Sequence, residues 1–188
     1  VNKVFNIYIS TSFWFNCVEE LNNIVDAIRE KDAEYLFHTS FDNNNLIERT
    51  FGNVVISEFE QGRFHRVIVI NDNSKESIDF ISKLDNYFDN FVIFKVETTK
   101  VSNIKLNETH DVYCGRGSDF GNPHQTYNKK TSIEKFKYDF ENNLLVRFKK
   151  SDDKYLELRG KTLGCYCHPK ECHAHTLALD LNSRPKKN

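Results

Sequence analysis

No apolar run in the 188-residue chain approaches the roughly 18 residues that a membrane-spanning helix needs. Charge of one sign is lacking too: 26 Lys and Arg stand against 27 Asp and Glu, a formal net charge of −1. That balance excludes a global basic field for nucleic acid and a strongly acidic surface that would imitate it. It leaves room only for local basic patches such as Lys149–Lys150 and Lys186–Lys187. Cysteine is scarce and odd in number, five in all, with three of them crowded between Cys165 and Cys172. Such crowding does not suit an ordinary disulfide framework and favours metal or thiol chemistry in a reducing compartment. The opening VNKVFNIYIS reads as a short strand with no apolar signal core. No glycine-rich fingerprint follows it, which disfavours NAD or FAD binding by that route.

Against these absences stand 39% hydrophobic residues, 16 of them Phe. This is enough apolar material for one medium α/β domain or two small ones. Val4–Ile9, Glu34–Thr39, Arg66–Asn71 and Phe91–Val96 are β-prone. RVIVIN is apolar on both faces, as a buried parallel strand is. Between the strands, Val18, Leu21, Ile24, Val25 and Ile28 fall on one helical face, as do Ile78, Ile81, Leu84 and Phe88 in a helix begun by Ser74. Asn16, with Glu19 three residues on, makes a capping-box-like start for the first helix. Within 43–61, LIERTF reads as helix and VVIS as strand. The alternation predicts an α/β fold, a Rossmann-like open and mostly parallel sheet flanked by helices over 1–100. Ser10, Thr11, Asn71 and Asp72 then lie beyond the carboxyl ends of its strands, where such sheets take ligands; solvated turns are the plainer alternative.

After residue 100 the character changes. DVYCGRGSDFGNPH, residues 111–124, holds three of the seven glycines and one of the three prolines. Ser132 is expected to cap a long helix burying Ile133, Phe136, Phe140, Leu144 and Phe148. KTLGCYC reads as a strand, HPKE as a loop and Cys172–Leu181 as a helix. SRPKKN, residues 183–188, is expected to close the chain as a disordered tail.

Two loops carry chemistry. In the first, Gly115, Gly117 and Gly121 let the backbone approach a ligand or take positive φ. Arg116 offers a planar fork for phosphate or carboxylate, and Asn122 and His124 add amide and imidazole groups beside the stiffening Pro123. In the second, strand period sets Cys165 and Cys167 on one face, while Cys172 and His173 fall in the first turn of a helix. That terminus attracts anions and favours a thiolate. Three readings stay open. Cys165, Cys167, Cys172 and His173 form a Cys₃His zinc site, with Cys114, His168 or His175 as replacement ligands. In the second, Cys172 is an activated thiolate or His173 an acid or base. In the third, small cysteines merely pack a strand.

Residues 101–182, with Asn103, VYCGRGSDFGNP and LRGKTLGCYCHPKECHAHTL in that order, resemble an uncharacterised domain family of phages and bacteria. Its hallmarks are a VYIGRGS-x-x-GNP loop and a C-x-C-x-P-x-x-CH motif. The resemblance carries over to Arg116, Ser118, Gly121, Asn122, Pro123, Cys165, Cys167, Pro169, Cys172 and His173. Cys114 stands where the family has an aliphatic residue, and His168 and His175 lie outside the pattern. The first half is loosely similar to nucleotide-handling Rossmann-like folds. The resemblance implies a phage-encoded chain working in the host cytoplasm, but no reaction. The expected function is an enzyme, a hydrolase or transferase, acting on a nucleotide, nucleoside or nucleic-acid base. In it, Arg116, Gly115, Gly117, Ser118 and Gly121 bind phosphate, Asn122 orients the base or sugar, and Cys172 and His173 do the chemistry. The alternatives are a binding module, zinc-stabilised or not, for a nucleotide, nucleic acid or host protein, and a hydrolase using zinc-bound water.

Overall fold

The computed structural model describes residues 3–60, 62–84 and 90–185. Two compact units divide between Glu97 and Thr98, and Ser183–Asn188 group with the first. Among the described residues no helix is long and apolar enough to cross a membrane. Phe88, the Lys186–Lys187 pair and the last three residues of the expected tail lie outside the described residues.

The first unit is the open parallel sheet that the strand–helix alternation implies. Its elements run β1 (Lys3–Ser10), α1 (Val18–Asp26), β2 (Ala33–Thr39), α2 (Leu46–Phe51), β3 (Val55–Ile56), β4 (Arg66–Asn71), α3 (Lys75–Leu84) and β5 (Phe91–Lys95). The strands lie side by side in the order β3-β2-β1-β4-β5, every pair parallel. Because successive side chains alternate across a strand, Ile7, Ile9, Ile68 and Ile70 pack with Leu21 and Val25 of α1 and Leu46 and Ile47 of α2. Tyr8, Val67 and Val69 face the other way, onto Leu84 and the flanking Phe80 and Ile81 of α3. Helices therefore cover both faces, and the doubly apolar RVIVIN segment is their shared floor.

Three local expectations are corrected. Cys17, not Asn16, caps α1, its sulfur accepting the Glu20 N–H at 3.4 Å. Asn16 instead accepts from Arg49 at 2.5 Å. Ile78 is 53% exposed. The rotation of α3 is set by Ser77, which donates to the Ile70 carbonyl and to Asp72, and this turns Ile78 outward. At the carboxyl ends of the strands, Asp72 is buried and accepts from Ser12 (2.5 Å), the Ser74 N–H (2.9 Å) and Ser77 (3.0 Å). Asn71 accepts the Asn73 N–H. Asn71 holds its own turn, and Asp72 also ties that turn to Ser12 in the loop after β1.

The second unit, Thr98–Asn182, carries a three-stranded parallel sheet in the order β6-β8-β7. Its elements are β6 (Lys100–Asn103), β7 (Val112–Tyr113), α4 (Lys129–Glu141), α5 (Asp153–Leu156), β8 (Thr162–Cys165) and α6 (His173–Asn182). Leu163 of the central β8 is wholly buried, as are Leu177 and Ala178 of α6. An aromatic cluster ties the helices together: Phe140 and Phe148 both pack on Tyr155, at 5.6 and 5.4 Å between ring centres. The buried Asn182 amide clamps the end of α6 to the strand entry, accepting the Thr99 N–H at 2.7 Å and donating to the Thr99 carbonyl at 2.8 Å.

The long helix is shorter than its apolar spacing suggested. Asn128 caps α4, accepting from Lys130 and Thr131, and the helix ends at Glu141. Asn143 takes φ of 56°, which breaks the helical path. Leu144 is consequently exposed, while Phe148 reaches the core from the segment beyond.

Candidate functional site

Parallel pairing brings the two motif loops together at one end of the small sheet. Tyr113 pairs with Gly164 across β7 and β8, and the next residue, Cys114, donates its N–H to the Gly164 carbonyl at 2.9 Å. From there the GRGS segment turns at once. The Gly115 carbonyl accepts both the Ser118 N–H (3.2 Å) and the Ser118 hydroxyl (2.8 Å), and the Ser118 carbonyl accepts the Gly121 N–H (3.2 Å). Gly117 sits at φ of 91°, the left-handed region where a side chain is strained. Gly121 is needed for another reason: a Cβ there would stand 2.4 Å from the Gly115 oxygen. Its close approach is to the loop itself rather than to a ligand.

Both loops line one cavity of about 450 Å3. Gly115, Arg116 and Asn122 contribute from the first loop, and Cys165, Tyr166, Cys167, Cys172 and His173 from the second. Lys129, Ser132 and Ile133 of α4 close it, and Tyr113 stands at its side. Tyr113 and Tyr166 are 40% and 47% exposed and meet edge to face at 6.2 Å. Arg116 and Lys129 are exposed and enter no ion pair among the described residues, and no carboxylate lines the cavity.

The other first-loop residues are occupied within the protein. Asn122 donates to the Ser132 carbonyl (3.1 Å) and hydroxyl (3.0 Å) and accepts the His124 N–H (2.9 Å). Its amide holds the loop against α4, so it is a positioning group here. Ser132, expected as a cap, spends its hydroxyl on the His124 carbonyl at 2.9 Å. His124 is engaged by Asp139 at 2.9 Å. Ser118 faces its own turn, and Pro123 is exposed.

The thiol cluster occupies the buried side. Cys172 directly precedes α6, so the first amides of that helix meet its sulfur. Hydrogen bonds from Cys165 and then from the backbone N–H groups of His175 and Ala174 hold the Cys172 thiol below its usual range, against the opposing effect of burial. The reciprocal bond and burial push Cys165 strongly upward. Of the two thiols, Cys172 is the one whose deprotonation the surroundings favour and Cys165 the one they oppose. Burial, aided by Cys165, raises Cys114 to about 12, which makes it an inert packing group.

His173 is buried and held on two sides. Its Nε2–H donates to the Cys114 carbonyl at 2.7 Å, and its ring packs against Phe136 at 5.1 Å. Since a carbonyl only accepts, the neutral ring carries its proton on Nε2 and its lone pair on Nδ1. Burial depresses its pKa, with the charges of His175 and Arg116 adding to that effect. His175, outside the sequence pattern, proves to be part of the cluster. Its Nδ1 lies 3.2 Å from the Cys172 sulfur and its Nε2 3.2 Å from His168 Nδ1. The available signal was helical geometry: residues 172 and 175 are three apart at a helix start and share a face.

One ligand atom each from Cys165, Cys172 and His173 lies within 4.8 Å of the others, a group able to hold a metal ion. Cys167 stands outside that group, because β8 ends at Cys165 and Cys167 lies in the bend beyond it. Of the C-x-C pair, only Cys165 belongs to that group. Asn103, the first residue of the family pattern, donates to the His168 carbonyl and accepts the Lys105 N–H at 2.9 Å, which anchors the turn between the cysteines to β6.

Residues 96–183 match the family model described as Domain of unknown function (DUF4326). The matched segment spans both motif loops and every element of the second unit. No curated protein and no solved structure matches the chain.

Proposed function

We propose that the second unit binds a phosphate-bearing nucleotide in the 450 Å3 cavity and acts on it as a thiol enzyme, a hydrolase or a transferase. The observation that carries this reading is the pairing of two charges without counter-ions, Arg116 and Lys129, with a carboxylate-free lining in a chain whose net charge is only −1. A carboxylate-free cavity beside a planar guanidinium suits a multiply charged oxyanion that can accept two parallel hydrogen bonds, as a phosphate does. The exposed Tyr113 and Tyr166 rings supply the flat apolar surface a base stacks on.

In this reading Arg116 and Lys129 hold the phosphate and Asn122 keeps the loop in place. Cys172 is the nucleophile, its thiolate favoured first by the hydrogen bond from Cys165 and then by the amides of His175 and Ala174. His175 is its proton partner at 3.2 Å. Cys172 gives its proton to His175 as the sulfur bonds to an electrophilic atom of the ligand. His175 passes that proton to the leaving group, which departs with the electron pair of the broken bond. Water or an acceptor then displaces the sulfur. His173 supplies a buried lone pair on Nδ1 at the same wall. Thermal-shift measurements across nucleotides, nucleosides and inorganic phosphate test the binding step. Stabilisation by nucleotides that is abolished in Arg116→Ala and only partly restored in Arg116→Lys supports the reading. No shift with any phosphate-bearing compound, with a host protein co-purifying instead, favours a binding module.

The Cys165–Cys172–His173 group supports a second reading, a zinc ion held by these three residues. Donors within 4.8 Å suit a small ion with sulfur bonds of about 2.3 Å. The His173 N–H on the Cys114 carbonyl is the orienting bond that metal-bound histidines make. When bound, zinc would supply Lewis acidity at the cavity wall. Elemental analysis decides between the two: one zinc per chain, lost in Cys165→Ser, supports the metal, and metal-free protein with a reactive Cys172 supports the thiolate.

A further inference from the structure

A second cavity of about 410 Å3 adjoins the first and shares Lys129, Tyr166 and Cys167 with it. Its own walls are Asn103, Lys105, His168, Pro169 and Lys170. Lys105 and Lys170, like Lys129, are exposed and form no ion pair among the described residues. No carboxylate lines this cavity either. The nearby acids act elsewhere: Glu108 accepts the Asn103 N–H, and Glu171 bears on His175.

A single mononucleotide phosphate needs only the Arg116–Lys129 end. Lys105 and Lys170 line the second cavity and not the first, and that arrangement gives them no partner. We infer that the two cavities form one continuous site for a dinucleotide, with a phosphate at Arg116 and Lys129, a base against Tyr166, and the second nucleotide's phosphate at Lys105 and Lys170. This rests on the nucleotide reading above and extends it. Tyr166 lines both cavities and is nearly half exposed, so its ring is open to a base bound across them. Lys129 lines both and serves the linkage between the halves.

Calorimetric titration of the full chain with adenosine 5′-monophosphate, the phosphodiester dinucleotide pApA, the pyrophosphate-linked AppA and a six-residue single-stranded oligoadenylate tests the inference. The variants are Lys105→Ala/Lys170→Ala, both exposed positions, and Arg116→Ala. The phosphodiester pApA, whose first base lies between its two phosphates, should bind about tenfold more tightly than the mononucleotide, the scale of one added set of charged hydrogen bonds. It should also bind more tightly than AppA, whose two phosphates are adjacent. Lys105→Ala/Lys170→Ala should remove that tenfold advantage and leave mononucleotide affinity unchanged, whereas Arg116→Ala should weaken both. A mononucleotide or AppA that binds as tightly as pApA overturns the extension and leaves the single-nucleotide site standing. So does a lysine double variant that weakens both ligands equally. An oligoadenylate that binds still more tightly than the dinucleotides replaces the inference with a nucleic-acid groove. No binding of any probe overturns the nucleotide reading itself.

Discussion

Replacing Gly121 by Ala tests whether the loop geometry, rather than loop composition, makes the site. The added Cβ would stand 2.4 Å from the Gly115 oxygen and 3.2 Å from the Arg116 Cα. An ordinary carbon–oxygen contact is about 3.3 Å, so the collision is nearly an ångström deep, and both atoms are backbone. No rotamer change relieves it. The Gly115 carbonyl also accepts two bonds from Ser118, so moving it loosens the turn that carries Arg116. Overpacking of this kind costs about 1–3 kcal/mol, which for a chain of this size lowers the melting temperature by roughly 3–10 °C. Gly117→Ala is the control. Nothing lies within 4 Å of its Cβ position, and only the φ of 91° opposes the change, at about 1 kcal/mol. Thermal denaturation of both variants, with nucleotide titration of each, is the assay. Gly121→Ala should be the less stable of the two and should bind nucleotide more weakly. Gly121→Ala melting within 1 °C of the native protein with native binding would refute the reasoning.

Other consequences are equally open to measurement. Alkylation of Cys172 by iodoacetamide, mapped by mass spectrometry, should have its midpoint below the ordinary thiol value of 9.0. Cys165→Ala should move that midpoint upward by removing the hydrogen-bond donor, and Cys114 should stay unmodified near neutral pH. Asn182→Ala leaves the buried Thr99 N–H and carbonyl without partners. At about 1–3 kcal/mol for each orphaned group, chemical denaturation should show a loss of roughly 2–5 kcal/mol. His173 and His175 are buried neutral with pKa values below the ordinary 6.5. The unfolded chain therefore binds protons first, and stability should fall as pH drops through 6.5 toward the folded values. His173→Gln should flatten that slope in denaturation curves taken between pH 7.5 and 5.5.

Much of the first unit was legible because burial on both faces leaves its mark in the residues. RVIVIN could serve only as an inner strand, and LIERTF and VVIS became α2 and β3 as their spacing implied. Helix ends were harder to read. Asn16 and Cys17 both offer a capping atom, and the choice fell to Cys17 while Arg49 occupied Asn16, a partner 33 residues distant. The run from Ile133 to Phe148 keeps helical spacing, yet Asn143 enters the left-handed region and ends the helix early. Strand β6 is only KVSN, too short and too polar for a pattern to show.

At the site, residue types were readable and orientations were not. That Arg116 lines the cavity accords with its exposed position beside three glycines. Nothing in GNP reveals that the Asn122 amide is spent on Ser132. The C-x-C spacing suggested two ligands on one face, but that holds only while the strand continues, and β8 stops at Cys165. His175 came into the cluster through a helix register that begins one residue after Cys172.

The most direct measurement is protection of Cys172 by ligand, because it places the anion site and the thiol in one cavity. The rate of Cys172 alkylation is followed at fixed pH with and without saturating nucleotide, in the native protein and in Arg116→Ala. Slower alkylation with nucleotide, lost in Arg116→Ala, is the predicted result. An alkylation rate at Cys172 that no nucleotide changes, in protein shown by calorimetry to have bound one, would contradict a shared site for phosphate and thiolate.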